Sequence, residues 1–328
     1  MLAPQFWNKN GTIAKMLWPV SLVVQGFSQF RFHFYKSKKL DVPVICVGNI
    51  VVGGSGKTPT ALDIGRILKE HGVNAHYLSR GYGGNMRGPV LVDTNTHTYK
   101  QVGDEPLLLA RQSPAWVSKN RLKGALAAIK DGAEAIIMDD GLQNPLIEKN
   151  LALLVIDSGF AMGNKLFFPS GPLRESLSMG LKKADAVVVI GEMKIAEVLS
   201  RLPELAAYDK PVFHARFQIT ADKESLKSNP LYAFAGIGRP EKFFESLEGI
   251  GARLIGKRVF GDHHPYSDDE MSSIIAEARA LGGTVVTTEK DFVRIPAQFQ
   301  KEITPIPVKL LFDNVAAWEG LIKTSLRS

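Results

Sequence analysis

The chain of 328 residues is 45% hydrophobic and 22% charged, which suits a globular protein with a large core and excludes a disordered segment. Its lone cysteine, Cys46, excludes a disulfide framework and suits a reducing compartment. Most of the net charge of +7 lies in residues 1–40, where Lys9, Lys15, Arg31, Lys36, Lys38 and Lys39 are accompanied by no acid; the near-neutral remainder argues against a nucleic-acid-binding body.

Residues 16–27 (MLWPVSLVVQGF) are mostly apolar, and Phe30, Phe32, Phe34 and Tyr35 then alternate with Arg31, His33 and Lys36. The apolar run is interrupted by Pro19 and falls short of the roughly 20 residues that span a bilayer. No small-residue cleavage site follows it, which disfavours a signal peptide. Two readings remain open and are compatible. One is an interfacial helix with apolar residues at the acyl boundary and lysines on anionic headgroups. The other is a helix packed on the protein's own core.

Residues 44–47 (VICV) form an apolar run expected as a buried strand. Residues 59–71 have helical spacing, with Leu62, Ile64, Ile67 and Leu68 apolar among Asp63, Arg66, Lys69 and Glu70. Between them lie Val51, Val52, Gly53, Gly54, Ser55, Gly56, Lys57 and Thr58. Strand, glycine-rich turn, Gly-Lys-Thr and helix is the context of a phosphate-binding loop. Backbone N–H groups of such a turn converge on phosphate oxygens, helped by the helix N-terminus. Lys57 is then expected at the β- and γ-phosphates of a nucleoside triphosphate, and the Thr58 hydroxyl on Mg²⁺. The general pattern asks for glycine at position 51, where this chain has Val51. An ordinary glycine-rich turn is the alternative.

Residues 75–78 are expected as a strand running into Ser79-Arg80-Gly81-Tyr82-Gly83-Gly84, either a loop at the sheet edge where ligands bind in open α/β folds or a plain connection. Gly103-Asp104-Glu105-Pro106 begins a helix: Asp104 either caps it or accepts a proton from an attacking hydroxyl. A strand at 115–117 precedes a helix at 120–130 that carries Arg121. Residues 135–138 form an apolar strand ending in Asp139-Asp140-Gly141, the arrangement in which a carboxylate holds Mg²⁺; a plain strand-end turn is the other reading. Strands are expected at 153–156 and 186–190. The loop between them presents Arg174 and Glu175, and an arginine there either stabilises a transferring phosphoryl group or is merely exposed.

This alternation implies βαβ units and a mostly parallel sheet sandwiched by helices. It pauses at 211–218 and 221–229, so three parts are expected: a basic, apolar helix at 1–40, a P-loop NTPase-like domain at 41–220, and a smaller α/β lobe at 221–328. Strands of that lobe are expected at 231–235, 253–260, 284–287 and 306–311, and helices at 240–247 and 267–281. Within it, Asp262-His263-His264 offers an acid–base histidine, a metal site or a simple loop, and Ser267 with Glu270 forms a capping box. Thr287-Thr288-Glu289-Lys290-Asp291 is a strand-to-helix turn whose charges either cap or act.

The ordered set GGSGKTP (53–59), SRGYGG (79–84), GDEP (103–106), DDGLQ (139–143), FPSGPLRE (168–175), DHH (262–264) and TTEKD (287–291) resembles the tetraacyldisaccharide 4′-kinase family, the lipid A kinases. That family's loop also lacks the first glycine, and with the N-terminus the resemblance covers nearly the whole chain. It implies Mg²⁺-dependent transfer of the ATP γ-phosphoryl group to the 4′-hydroxyl of an acylated glucosamine disaccharide 1-phosphate. It further implies peripheral residence on the anionic, cytoplasmic face of the inner membrane, with no nucleic acid and no obligate protein partner. Gly53, Gly54, Ser55, Gly56, Lys57 and Thr58 would bind ATP, and Thr58, Asp139 and Asp140 would lie at Mg²⁺. Asp104 matches the base and His263, ahead of His264, its partner. Tyr82, Arg121 and Arg174 match positions around substrate and phosphates. A histidine of the second lobe in this role implies lobes that close about a hinge near 215–230. The rival is a membrane-associated P-loop ATPase acting as a switch. It would not need His263, and its loop would carry a lysine where this chain has Val52.

Overall fold

Short apolar runs separated by amphipathic helices build two sheets in the computed structural model, which describes residues 4–34, 36–159 and 162–327. A long helix α1 (Thr12–Phe34) precedes β1 (Val44–Gly48), α2 (Lys57–Glu70), β2 (Ala75–Ser79) and the two-residue β3 (Val90–Leu91). Then come α3 (Tyr99–Val102), α4 (Asp104–Ala110), β4 (Ala115–Val117), α5 (Arg121–Lys130), β5 (Ala135–Asp139) and β6 (Leu151–Asp157). They are followed by α6 (Leu177–Lys183), β7 (Ala186–Ile190), α7 (Ile195–Arg201), α8 (Pro203–Ala206) and β8 (Val212–Ile219). A smaller unit holds α9 (Lys223–Ser228), β9 (Leu231–Ala235), α10 (Pro240–Gly249), β10 (Leu254–Val259), α11 (Asp268–Ala280), β11 (Thr284–Thr288), α12 (Glu289–Phe292) and β12 (Ile303–Ile306). The chain ends with β13 (Val308–Phe312) and α13 (Val315–Ser325).

The large sheet has the order β13-β8-β7-β6-β1-β5-β2-β4-β3, parallel except for β13 and β3 at its edges. β1 lies between β5 and β6, with Val47 opposite both Asp139 and Leu153. The C-terminal ends of β5 and β1 therefore meet at one place, and β6 runs on three residues past them. Strands buried on both faces read as continuous apolar runs, which is why β1, β5, β6 and β7 were legible as sequence. One face packs Ile45, Val47, Ile64 and Ile67 together, and the other holds Cys46, Leu78, Ile136 and Met138. The small sheet, β10-β9-β11-β12, is parallel and packs Phe243 and Leu247 of α10 on one face and Met271 and Ile274 of α11 on the other.

Two expectations need correction. Residues 211–218 are not a pause: β8 is a strand of the large sheet. The expected strand at 306–311 is two strands, because Pro307 separates β12 in the small sheet from β13 in the large one. The second lobe thus does not run to residue 328. β13 pairs with β8, and α13 packs on α2 through Trp318, whose Nε1 donates to Asp63 Oδ2 at 2.8 Å. The chain crosses between the units twice, side by side, with Ile219 opposite Val308 and Thr220 N–H donating to Pro307 O at 3.0 Å.

α1 turns Ala14 and Ser21 inward and leaves Met16, Trp18, Val20, Leu22, Val23 and Val24 exposed. Ser21 Oγ donates to Phe167 O at 2.9 Å and bonds Ser170 Oγ, and Trp7 Nε1 donates to Pro169 O at 3.0 Å. Among the described residues no helix is long and apolar enough to cross a membrane. The expected alternation of Phe30, Arg31, Phe32, His33, Phe34 and Tyr35 lies outside the described side chains.

Candidate active site

The turn after β1 forms a cradle. Gly56 adopts φ +90°, so the position favours glycine by conformation, and a Cβ there would also push on the Ile190 Cδ1 methyl at 2.5 Å. Asn49 Nδ2 donates to Ser55 Oγ at 2.8 Å, and Val52 N–H to Pro172 O at 2.8 Å. Gly53, Gly54, Ser55 and Gly56 lie in this turn, and Lys57 and Thr58 open α2 with both side chains buried. Pro59 takes the first helical turn as its missing N–H allows.

Thr58 Oγ1 donates to Asp139 Oδ2 at 3.0 Å, and Lys57 Nζ stands 3.7 Å from Asp140 Oδ1. The two aspartates are neighbours in opposite environments. Burial, then Glu105, pushes the Asp139 carboxyl up to about 7, and its Oδ1 has no hydrogen-bond partner. Burial also opposes ionisation of Asp140, but Lys57 and Arg174 outweigh it and hold that carboxyl down at about 2. Arg174 Nη1 donates to both Asp140 oxygens, at 2.8 and 2.9 Å, and its backbone N–H is fixed on Ile50 O at 2.7 Å. The 168–175 loop is therefore bound to the phosphate loop and to Asp140 rather than free in solvent. Arg121 is buried at the start of α5, donates Nη1 to Ser118 O at 3.0 Å, and is pushed down to about 10 by burial, opposed by Asp140 and Asp139.

A second cluster joins the two units, and its Glu105 is near enough to act on Asp139. Asp104, in the first turn of α4, is 3% exposed and lies 2.8 Å from His263 Nδ1 of the small unit. An ionised carboxylate only accepts, so Nδ1 carries the proton and Nε2 is left as the basic nitrogen. Burial works against ionisation of Asp104, but the His263 hydrogen bond and the charges of Lys290, His263 and Arg294 hold it below the usual carboxylate range. His263 sits at φ +58°, a conformation a side chain takes only when its surroundings hold it there. His264 turns away to Glu270, at 2.9 Å, and so supports the capping box of α11. Tyr82 is exposed, its ring 5.5 Å from that of His263. Asp104 is not the helix cap, which is Gly103, although Asp104 Oδ1 accepts the Glu105 N–H at 2.9 Å.

Sequence reasoning missed several partners. Lys290 Nζ stands 3.4 Å from Glu105 and 3.5 Å from His263 Nε2, and buried Arg294 has its Nε 3.6 Å from Asp104. Gln143 Nε2 joins Asn49 O at 2.7 Å to Glu175 at 2.9 Å. Only the charge-rich 287–291 turn had hinted at Lys290. Nothing in the spacing placed it against a helix start 185 residues earlier.

The chain matches the family model described as tetraacyldisaccharide-1-P 4′-kinase over residues 13–327. A tetraacyldisaccharide 4′-kinase of Rhodospirillum rubrum is 45% identical over 98% of this chain and 97% of its own length. That of Paramagnetospirillum magneticum is 45% identical over 95% of each chain. Among solved structures, LpxK from Aquifex aeolicus in complex with ATP is similar at a TM-score of 0.75 and 26% identity, covering 96% of this chain and all of that one.

Proposed function

The chain belongs to the tetraacyldisaccharide-1-P 4′-kinase family, and from that premise we propose how its residues divide the work. It is an ATP-dependent kinase that phosphorylates the 4′-hydroxyl of tetraacyldisaccharide 1-phosphate, forming lipid IVA in lipid A biosynthesis. The Gly53–Thr58 amides would cradle the ATP phosphates, with Lys57 on the β- and γ-oxygens. Lys57 and Arg174 neutralise charge on the transferring phosphoryl group, and Arg121 adds to the field from behind Asp139 and Asp140.

The observation that carries this division is the Thr58–Asp139 bond beside the Lys57–Asp140 pair. The unpartnered Asp139 oxygen fits a divalent cation or its water, so Thr58 and Asp139 would hold Mg²⁺ with Asp140 alongside. Held there, Mg²⁺ would supply charge neutralisation for the phosphoryl transfer. The 4′-oxygen forms a bond to the γ-phosphorus as the bond to the bridging oxygen of ADP breaks. The hydroxyl proton passes to the Asp104–His263 pair, which orients the hydroxyl and takes the proton late. Tyr82, exposed beside His263, would flank the sugar. Since the pair joins two units, the site is complete only when they close.

We further propose that α1 lies on an anionic lipid surface at the cytoplasmic face of the inner membrane. Its exposed apolar face and the acid-free basic N-terminus support this, since both match a lipid anion as substrate. The deciding assay is label transfer from γ-labelled ATP to tetraacyldisaccharide 1-phosphate in detergent micelles with Mg²⁺, wild type against Lys57→Ala. Labelled lipid that depends on Lys57 is expected. ATP hydrolysis without labelled lipid would favour the switch ATPase.

A further inference from the structure

The turn after β9, residues 236–239, belongs to the small unit but lies on the phosphate loop. A Cβ on Gly238 would stand 3.3 Å from the backbone nitrogen of Gly54, so a side chain there would press on one of the amides offered to phosphate. What holds the turn in place comes from the large sheet. Asp157 ends β6 three residues past Leu154, the last to pair with β1, and lies opposite Ile190 of β7, whose side chain reaches Gly56 of the phosphate loop. Its nearly buried carboxylate accepts Arg239 Nη1 at 2.9 Å and Lys242 Nζ at 2.6 Å, both from the start of α10. It also accepts Gly159 N–H at 2.9 Å. Arg239 lies flat on Gly159, where a Cβ would meet its Nη2 at 2.9 Å. None of these residues has a part in the chemistry above.

Closing the contact trades the hydration of one carboxylate and two cations for two short ion pairs, a near balance that lets it open and re-form, whereas removing the carboxylate leaves the two cations without it when the units meet. The contact is also a seam between the units, and a second lies at α4. Asp104–His263 and Glu105–Lys290 form that second seam.

We propose that Asp157 is a positioning residue: through Arg239 and Lys242 it clamps the Gly238 turn over the phosphate loop and sets how completely the two units close on ATP. The Gly54 amide lies under the turn, so the turn lifts for nucleotide to enter and leave. The clamp opens and re-forms once per turnover. Re-forming it carries α10 and the rest of the small unit toward the large sheet, which seats His263 on Asp104. The inference rests on the two-unit active site described under the proposed function.

The test reads closure directly, apart from lipid chemistry. Spin labels are attached at Lys123→Cys and Ala276→Cys, both exposed positions on opposite units, while Cys46 is buried and unreactive. Pulsed electron–electron distances are taken with Mg²⁺ and a non-hydrolysable ATP analogue. Wild type is expected to show one short-distance population. Asp157→Asn should retain a long-distance population, with kcat for lipid phosphorylation lowered roughly tenfold and the KM for ATP raised. Lys242→Gln, which leaves one arm of the clamp, should fall between them, and it decides the matter alone should Asp157→Asn fail to fold. Wild-type distances in the folded variants overturn the proposal, whatever their turnover. Absence of lipid phosphorylation in the wild type would sink the kinase reading and leave the distances to judge the clamp.

Discussion

Adjacent Asp139 and Asp140 show how environment assigns different tasks to one residue type. Asp140 is turned to two cations and stays ionised, whereas Asp139 is buried with only the Thr58 hydroxyl on one oxygen. Environments that push two carboxyls apart mark a site built to hold charge. The sign follows from linkage. A carboxyl raised to about 7 in the folded chain favours folding below the ordinary carboxylate range, and that contribution is lost as pH rises through about 7. Asp140, held at about 2, contributes above its ordinary value of 3.8 and loses this as pH falls toward 2. Asp139→Asn is therefore expected to raise the melting temperature of the nucleotide-free protein at pH 8 and to raise it clearly less at pH 5, where the penalty has only begun to build above 3.8. Thermal unfolding at the two pH values checks this. Asp104→Ala should lower turnover by about 10²–10⁴-fold, the worth of general-base help, with ATP affinity nearly unchanged. His263→Ala should follow it, and His264→Ala should cost only helix stability, because His264 serves Glu270. Steady-state kinetics of the three variants decide, and an unchanged rate in Asp104→Ala removes that residue from the mechanism.

At the scale of elements, α1 is tied to the loop at 167–174 as well as to solvent. Ser21 and Trp7 grip residues 167–170, and the same loop continues to Arg174 on Asp140. Charging the outer face should therefore leave the fold intact. Trp18→Glu with Val23→Glu is expected to weaken sedimentation with anionic-lipid vesicles while the melting temperature stays put; loss of both would mean the outer face packs on protein. The elements that sequence revealed are those whose local pattern equals their final environment. β1, its glycine turn and α2 are continuous in the chain, so their chemistry was readable before any fold was known. Sequence reasoning passed over β8 because it lacks the continuous apolar run of β1: next to the edge strand it alternates, Phe213, Ala215, Phe217 and Ile219 with His214, Arg216 and Gln218, the period of a half-buried strand. The Asp104–His263 pair joins residues 159 apart, and spacing carries no sign of it; only the resemblance proposed that partnership.

For the whole molecule, the decisive feature is the return of the C-terminus to the large sheet. Residues 303–312 read as one apolar stretch interrupted by prolines, and no local signal tells that Pro307 passes the chain from one sheet to another. The return places two adjacent crossings between the units, so that any movement of one on the other would be guided along one direction better than by a single tether. It also makes the last helix part of the phosphate-binding half. Trp318 is fully buried, stacks on Phe312 at 4.3 Å, and donates to Asp63 on α2, the helix whose first residues are Lys57 and Thr58. Trp318→Phe would keep much of the stacking but leave Asp63 Oδ2 without that donor, at a cost of about 1–3 kcal/mol. Arg66 holds only the other oxygen, Oδ1, so it offers no substitute. Were the C-terminal helix part of the small unit, the loss would fall on β9–β12 and spare nucleotide binding. With the topology found, Trp318→Phe should lower the unfolding midpoint of the large unit and weaken ATP binding together. Hydrogen exchange resolved by peptide checks this: faster exchange is expected in 57–70 and unchanged exchange in 231–235.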